Sequence, residues 1–392
     1  MMRPFAAGLC AACLPRWGQC GGSAFAFVSV PARHSTRPTR TLSVRMSAAP
    51  QVDPARVAVL FDFDGTVGDT EQPAMEVAYW ELAPYFPSAA TGGELPSMAE
   101  YVRDNAGKAF EFMLEVVEAD RERAGLPTIK QAREQAAEVA EVNRKSNLAG
   151  VKGLAPTVMS VVDAKRQAFG LKGLGELRAE GTLGDILTQQ KEETVAALAA
   201  VATPTKGMVE TLERLRLLGV PFSIATTSPK PRVPESVKAC RLAAFFPPDK
   251  IHSGESDFDP PRFKPDPSVY LKAAEHEGAL PSMCVAVEDS ASGVGSASNA
   301  GIGMIVGYVG ATHISEEKKH SHALSLMEGT RAKSGRGAEV VIEDMGDLIP
   351  LVEHCVAKAG ASTSGWDPRD GLGEAVLRLS GKTWLPEEVA VR

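Results

Sequence analysis

The sequence predicts an α/β protein: a doubly wound, mostly parallel sheet with a Rossmann-like core and an inserted α-helical cap. Three observations predict it. Short, β-branched apolar runs recur along the chain, each followed by a helical pattern. Such runs read as strands buried on both faces, and their alternation with helices implies right-handed crossovers. Several of these runs end in acidic or hydroxyl residues. Between the first and second runs the composition turns to Ala, Glu, Lys and Gln, which are good helix formers.

Taken in order, the run 57–61 enters Asp62-Phe63-Asp64-Gly65-Thr66 and is the first strand. Segments 100–122, 129–147 and 184–200 have helical periodicity, and 150–184 reads as irregular. An amphipathic helix at 206–218 is closed by Gly219 and leads into a second strand at 220–226. Helix 268–277, strand 283–287, helix 292–299 and strands at 303–309 and 339–342 complete the alternation. The expected division is a core of 54–69 and 203–358, a cap of 70–202 and a C-terminal extension, 359–392, with no structural assignment.

Composition narrows the function. The chain has 392 residues, 44% hydrophobic and 23% charged, which excludes a disordered chain and a disulfide-stapled miniprotein. No run of apolar residues is long enough to span a bilayer, so no membrane partner is expected. A formal charge of −7 argues against nucleic acid, whose phosphates call for a basic face. The first 52 residues carry six Arg and no Asp, Glu or Lys, with Ser and Thr crowding the second half. That composition marks an organelle transit peptide, expected at 1–46 and directing the chain to the plastid stroma. Removing its six arginines takes the charge from −7 to −13. A two-part signal into a complex plastid and a mitochondrial presequence are the alternatives. Cys13 and Cys20 have no second pair to make a zinc site, and Cys240, Cys284 and Cys355, the cysteines of the remaining chain, are widely spaced and read as buried small hydrophobes.

Four motifs carry chemistry, and in an open parallel sheet all would lie where ligands bind, outside the carboxyl ends of the strands. Asp62 and Asp64 follow the first strand; crowding two carboxylates there calls for a cation, and Mg²⁺ suits oxygen donors. Thr226, Thr227 and Ser228 follow the second strand and offer donors to an anion. Lys264, in Phe263-Lys264-Pro265-Asp266-Pro267, is a point charge suited to phosphoryl oxygens. Glu288 and Asp289 close the third strand. Singly, each has a plain structural reading as a turn, a helix cap or a solvated loop lysine.

Together, in this order, the motifs resemble those of the haloacid dehalogenase superfamily of phosphoryl-transfer enzymes over residues 57–352. Gly68-Asp69-Thr70-Glu71 and Val287-Glu288-Asp289-Ser290-Ala291-Ser292-Gly293 are similar to the CbbY-like and β-phosphoglucomutase-like branch. The resemblance implies Asp62 as nucleophile forming an aspartyl-phosphate, Asp64 as acid/base, and Thr226 and Lys264 on the phosphoryl oxygens. It implies Mg²⁺ held by Asp62, the Asp64 carbonyl, Glu288 and Asp289. Glu71 and Lys108, with Arg103 behind them, are candidates to read the substrate, beside Thr227 and Ser228. The plastid CbbY-like group hydrolyses xylulose-1,5-bisphosphate, so a small phosphorylated metabolite is the expected partner of a monomeric enzyme. A phosphosugar mutase of the β-phosphoglucomutase type is the rival. Its cap histidine has no counterpart, since Ala74 stands there and no His occurs between Val67 and Thr203. A non-catalytic phosphometabolite-binding protein is the reading from another class. The departures are an enlarged cap, with the excess near 126–180, and the Pro260-Pro261 loop before Lys264.

Overall fold

The computed structural model describes residues 56–91, 94–105, 110–134, 164, 166–168, 170–181, 184–361 and 367–386. The proposed transit peptide, Lys108, most of helix 129–147 and much of 126–180 lie outside the described residues.

Strand β1 (Ala58–Phe61) enters a tight turn that leads to β2 (Gly68–Asp69) and helix α1 (Glu71–Leu82). The cap continues with α2 (Pro87–Thr91), α3 (Met98–Asn105), α4 (Phe110–Arg123), a helical turn at 129–134, α5 (Leu174–Glu180) and α6 (Ile186–Val201). The chain returns through β3 (Thr203–Pro204), which pairs antiparallel with β2, so two adjacent crossings join cap and core. Then come α7 (Met208–Leu217), β4 (Phe222–Thr226), α8 (Arg232–Ala239), β5 (Ile251–Ser253), α9 (Ser268–His276), β6 (Cys284–Glu288) and α10 (Ala291–Asn299). The remainder is β7 (Met304–Tyr308), α11 (Glu316–Met327), β8 (Val340–Ile342), α12 (Leu348–Ala361), α13 (Leu372–Val376) and β9 (Thr383–Trp384).

The main sheet runs β5-β4-β1-β6-β7-β8-β9, parallel except for the last pair. Every residue of β1, β4, β6 and β7 is buried, as strands covered on both faces must be. Val59 lies opposite Phe222, and Phe61 opposite Val287, so the carboxyl ends of β4, β1 and β6 stand side by side. The chain leaves β1 toward β4 on one side and reaches β6 on the other. That reversal creates the crevice in which such sheets bind ligands.

The cap has its own core, in which Trp80, Leu82, Tyr85, Met113 and Ile129 are buried. Arg166, inside the stretch expected to be irregular, is also buried there: its guanidinium binds Glu81 at 3.0 Å and both oxygens of Glu193. A planar guanidinium with two carboxylates satisfies charges that would otherwise be costly inside the cap.

Several expectations need correcting. The segment 100–122, read as one helix, contains parts of two, α3 and α4. α5 lies within the segment read as irregular. Strands β5 and β9 have no long apolar run, and part of the C-terminal extension, given no assignment from the sequence, packs on the core. Its β9 closes the sheet against β8, and Leu372, Ala375 and Trp384 join the main core.

Candidate active site

Asp62 leaves the tip of β1 with its amide donating to the Val287 carbonyl of β6 at 3.0 Å, which pins it to the neighbouring strand. The turn that follows needs Gly65. Its φ is +79°, and a β-carbon there would lie 2.1 Å from Asp289 Oδ2. Closing the turn brings Asp62, Glu288 and Asp289 together, with one carboxylate oxygen from each lying within 4.8 Å of the others.

Lys264 is the cation set among them. Its Nζ donates to Asp62 and, at 2.6 Å, to Glu288 Oε1, and its side chain is 4% exposed. Tyr270, on α9, donates to the same Glu288 oxygen at 2.5 Å. Burial works against a charge on Lys264, but the two carboxylates overcome it and hold its pKa above the ordinary value. One lysine does not neutralise three acids. Burial, with repulsion from Glu288 and Asp64 against the pull of Lys264, pushes Asp62 up to about 8. Burial and the neighbouring acids push Asp289 well above the carboxylate range.

That imbalance tests the fit of a divalent cation. The cluster is buried, entirely oxygen-donating and short of positive charge, as a hard ion such as Mg²⁺ requires. Asp62, Glu288 and Asp289 would hold it. The Asp64 carboxylate is not in this cluster.

The Asp64 side chain faces a different set. Thr70 Oγ1 and Arg232 Nη2 each donate to its Oδ1 at 2.6 Å, and Ser228 Oγ to its Oδ2 at 2.6 Å. Glu71, at the start of α1, shares a cavity of about 690 Å³ with Asp62, Asp64 and Lys264, large enough for a phosphosugar. Burial, with Asp64 adding to it and Arg232 opposing, raises the Glu71 carboxyl to about 7.

Thr227 and Ser228 line this cavity, as expected. Thr226 does not: it is 1% exposed, and its hydroxyl accepts the Ser228 amide at 3.1 Å, shaping the loop that presents its neighbours. Its hydroxyl is thus engaged within the loop, away from the cavity lining. Arg103 reaches the cavity from α3.

Motif reading passed over Arg232, Tyr270, His313, Lys318 and His322. His313 Nε2 lies 3.5 Å from Asp289 Oδ2, and burial lowers this histidine to about 4. His322 Nε2 lies 2.5 Å from the Asp289 carbonyl. The one signal available was a cluster of His and Lys at 313–322, just beyond the fourth predicted strand. His252 and His276, read as having no catalytic part, pack against one another with ring centres 4.9 Å apart and planes tilted by 57°, and do not line the cavity. Cys240, Cys284 and Cys355 are free and buried, as expected.

Residues 57–301 match the family of haloacid dehalogenase-like hydrolases. The chain is 26% identical over 156 residues to a phosphorylated carbohydrates phosphatase of Thermotoga maritima, covering 39% of this chain and 68% of that one. It is 29% identical over 150 residues to the protein CbbY of Rhodobacter capsulatus, covering 36% and 62%. A CBBY-like protein of Arabidopsis thaliana is 36% identical over 106 residues, covering 27% and 32%. The matches thus span less than two thirds of the latter two relatives. With the family match extending over more than half of its length, this chain is an enzyme belonging to the haloacid dehalogenase-like hydrolases.

Proposed function

We propose that the chain is a Mg²⁺-dependent phosphatase of a small phosphorylated sugar. The observation that carries this is the buried Asp62 carboxylate at the tip of the central strand, bonded to Lys264 and clustered with Glu288 and Asp289. Asp62 attacks phosphorus, forming an aspartyl-phosphate as the bond to the sugar oxygen breaks, and Asp64 gives that oxygen its proton. Asp64 then takes a proton from water, which attacks the intermediate, frees phosphate and restores Asp62. Both Asp64 oxygens accept hydrogen bonds in this structure, so proton delivery requires exchanging one contact for the substrate's bridging oxygen. Lys264, with the Thr227 and Ser228 side of the cavity, binds phosphoryl oxygens, where transition-state charge is spread. Mg²⁺, when bound, screens the repulsion between nucleophile and phosphate.

Resemblance to the CbbY-like branch makes xylulose-1,5-bisphosphate the first substrate to try and the plastid stroma the proposed location. Ala74 in place of a cap histidine favours water over a second sugar hydroxyl as acceptor. The test is phosphate release by the full chain with Mg²⁺ across sugar phosphates, beside Asp62→Asn. Turnover that vanishes in the variant supports the reading. Transfer of phosphate within the sugar without release would replace it with a mutase.

A further inference from the structure

We infer that Lys318, on the core helix α11 rather than the cap, contacts the substrate end remote from the reacting phosphoryl group. There it reads an anionic substituent, with Trp384 of the C-terminal strand holding its helix in place. This rests on the phosphatase reading and adds to it which part of the enzyme selects the substrate.

Lys318 and His322 stand four residues apart, hence on one helical face, and both line the cavity that holds Asp62. His322 anchors one end of this strip, with Nε2 2.5 Å from the Asp289 carbonyl beside the carboxylate cluster. One turn nearer the helix start, Lys318 Nζ reaches across to the cap and donates to the Arg103 carbonyl at 3.3 Å. That acceptor is neutral. Among the described residues no carboxylate lies within salt-bridge distance of Lys318, whereas Lys264 is bonded to two and Arg103 is paired with Asp104. Lys318 is therefore the cavity cation whose charge is left for a ligand. A compact ammonium with no carboxylate partner suits a phosphate or carboxylate oxygen set.

His320, two residues on from Lys318, lies on the opposite face of α11. Its Nδ1 accepts the Trp384 indole N–H at 3.0 Å. Trp384 sits in β9 at the sheet edge, with Lys382 Nζ 5.0 Å from its ring centre. The same helix is tied to the end of β8 by Lys319, which bonds Glu343 at 2.8 Å. The C-terminal extension thus braces from outside the helix whose inner face lines the cavity, making Trp384 a positioning residue.

The experiment compares kcat/KM for fructose 1,6-bisphosphate, fructose 6-phosphate and 6-phosphogluconate in the full chain, Lys318→Ala, Lys318→Arg and Trp384→Phe. Lys318→Ala is expected to lose at least ten-fold more on the bisphosphate than on the monophosphate, mostly in KM, with Lys318→Arg restoring most of it. A matching loss on 6-phosphogluconate assigns a carboxylate to the same subsite; a loss confined to the bisphosphate assigns a phosphate. Trp384→Phe, which keeps an aromatic ring but removes the indole N–H, should shift KM in the same direction by less. Equal losses on all three compounds overturn the inference. Should none be turned over, calorimetric binding of the same compounds to Asp62→Asn, with and without Lys318→Ala, decides it separately. Discrimination lost with Lys318 would uphold the subsite while the phosphatase reading falls, and no discrimination would sink the subsite.

Discussion

Glu288 holds Lys264 from beneath: the fully buried carboxylate accepts the lysine Nζ at 2.6 Å, and with the Tyr270 hydroxyl at 2.5 Å its Oε1 is fully engaged. Lys264 is thereby delivered to Asp62 with its charge intact. Deleting one partner of a buried pair strands the other, at a cost of about 3–5 kcal/mol. Lys264→Ala, which leaves the buried Asp62 and Glu288 without their shared cation, should lose that much stability in urea denaturation. A change below about 1 kcal/mol would show that the two carboxyl groups find water or a proton instead.

Burial, with Asp62 and Glu288 beside it, raises the Asp289 carboxyl well above the carboxylate range. A carboxyl raised in the folded state costs stability as pH climbs through its folded pKa, because the unfolded chain has released that proton already. Asp289→Asn should therefore raise the thermal midpoint measured at alkaline pH in EDTA. Wild-type protein should gain stability on Mg²⁺ addition, by about 2.7 kcal/mol at a hundred times Kd, and the variant should not. A variant that responds to Mg²⁺ like wild type would remove Asp289 from the ligand set.

Gly65 sits at φ +79°, with the place of a β-carbon 2.1 Å from Asp289 Oδ2 and 2.8 Å from His313 Cε1. Gly65→Ala combines left-handed strain of about 1–2 kcal/mol with displacement of a metal-cluster carboxylate. A drop in Mg²⁺ affinity, read as a weaker Mg²⁺-induced thermal shift, is expected alongside lower stability. An unchanged shift would mean that Asp289 has room to withdraw without leaving the site.

His252 is 4% exposed, and burial, aided by His276, lowers it to about 4. The unfolded chain binds a proton here near 6.5 while the folded one refuses it. Stability should therefore be full above 6.5 and fall as pH drops toward 4. Between pH 7 and 5 this residue should account for about 2 kcal/mol of loss, which His252→Phe abolishes. Identical pH slopes for the two proteins in thermal melts would assign the acid limb elsewhere.

Residues 62, 64, 264, 288 and 289 were legible because each follows a strand or lies in a distinctive motif, and parallel topology gathers strand ends on one edge. The partners of those residues were not. Arg232 meets Asp64 across 168 positions, and Tyr270 meets Glu288 from the middle of a helix whose periodicity records only that it is buried. Thr226 and Thr227 are adjacent hydroxyls that the sequence does not tell apart, and only Thr227 lines the cavity.

By itself, then, the sequence determined the alternating α/β order, the inserted cap and the acids at the carboxyl edge, since these follow from local periodicity and spacing. Tertiary structure alone decided that Lys264 is shared between Asp62 and Glu288, that Arg232 and Ser228 hold Asp64, and that a polar tail completes the sheet as β9. The physical reason is that burial leaves a periodic trace in the chain, whereas the identity of a distant partner leaves none.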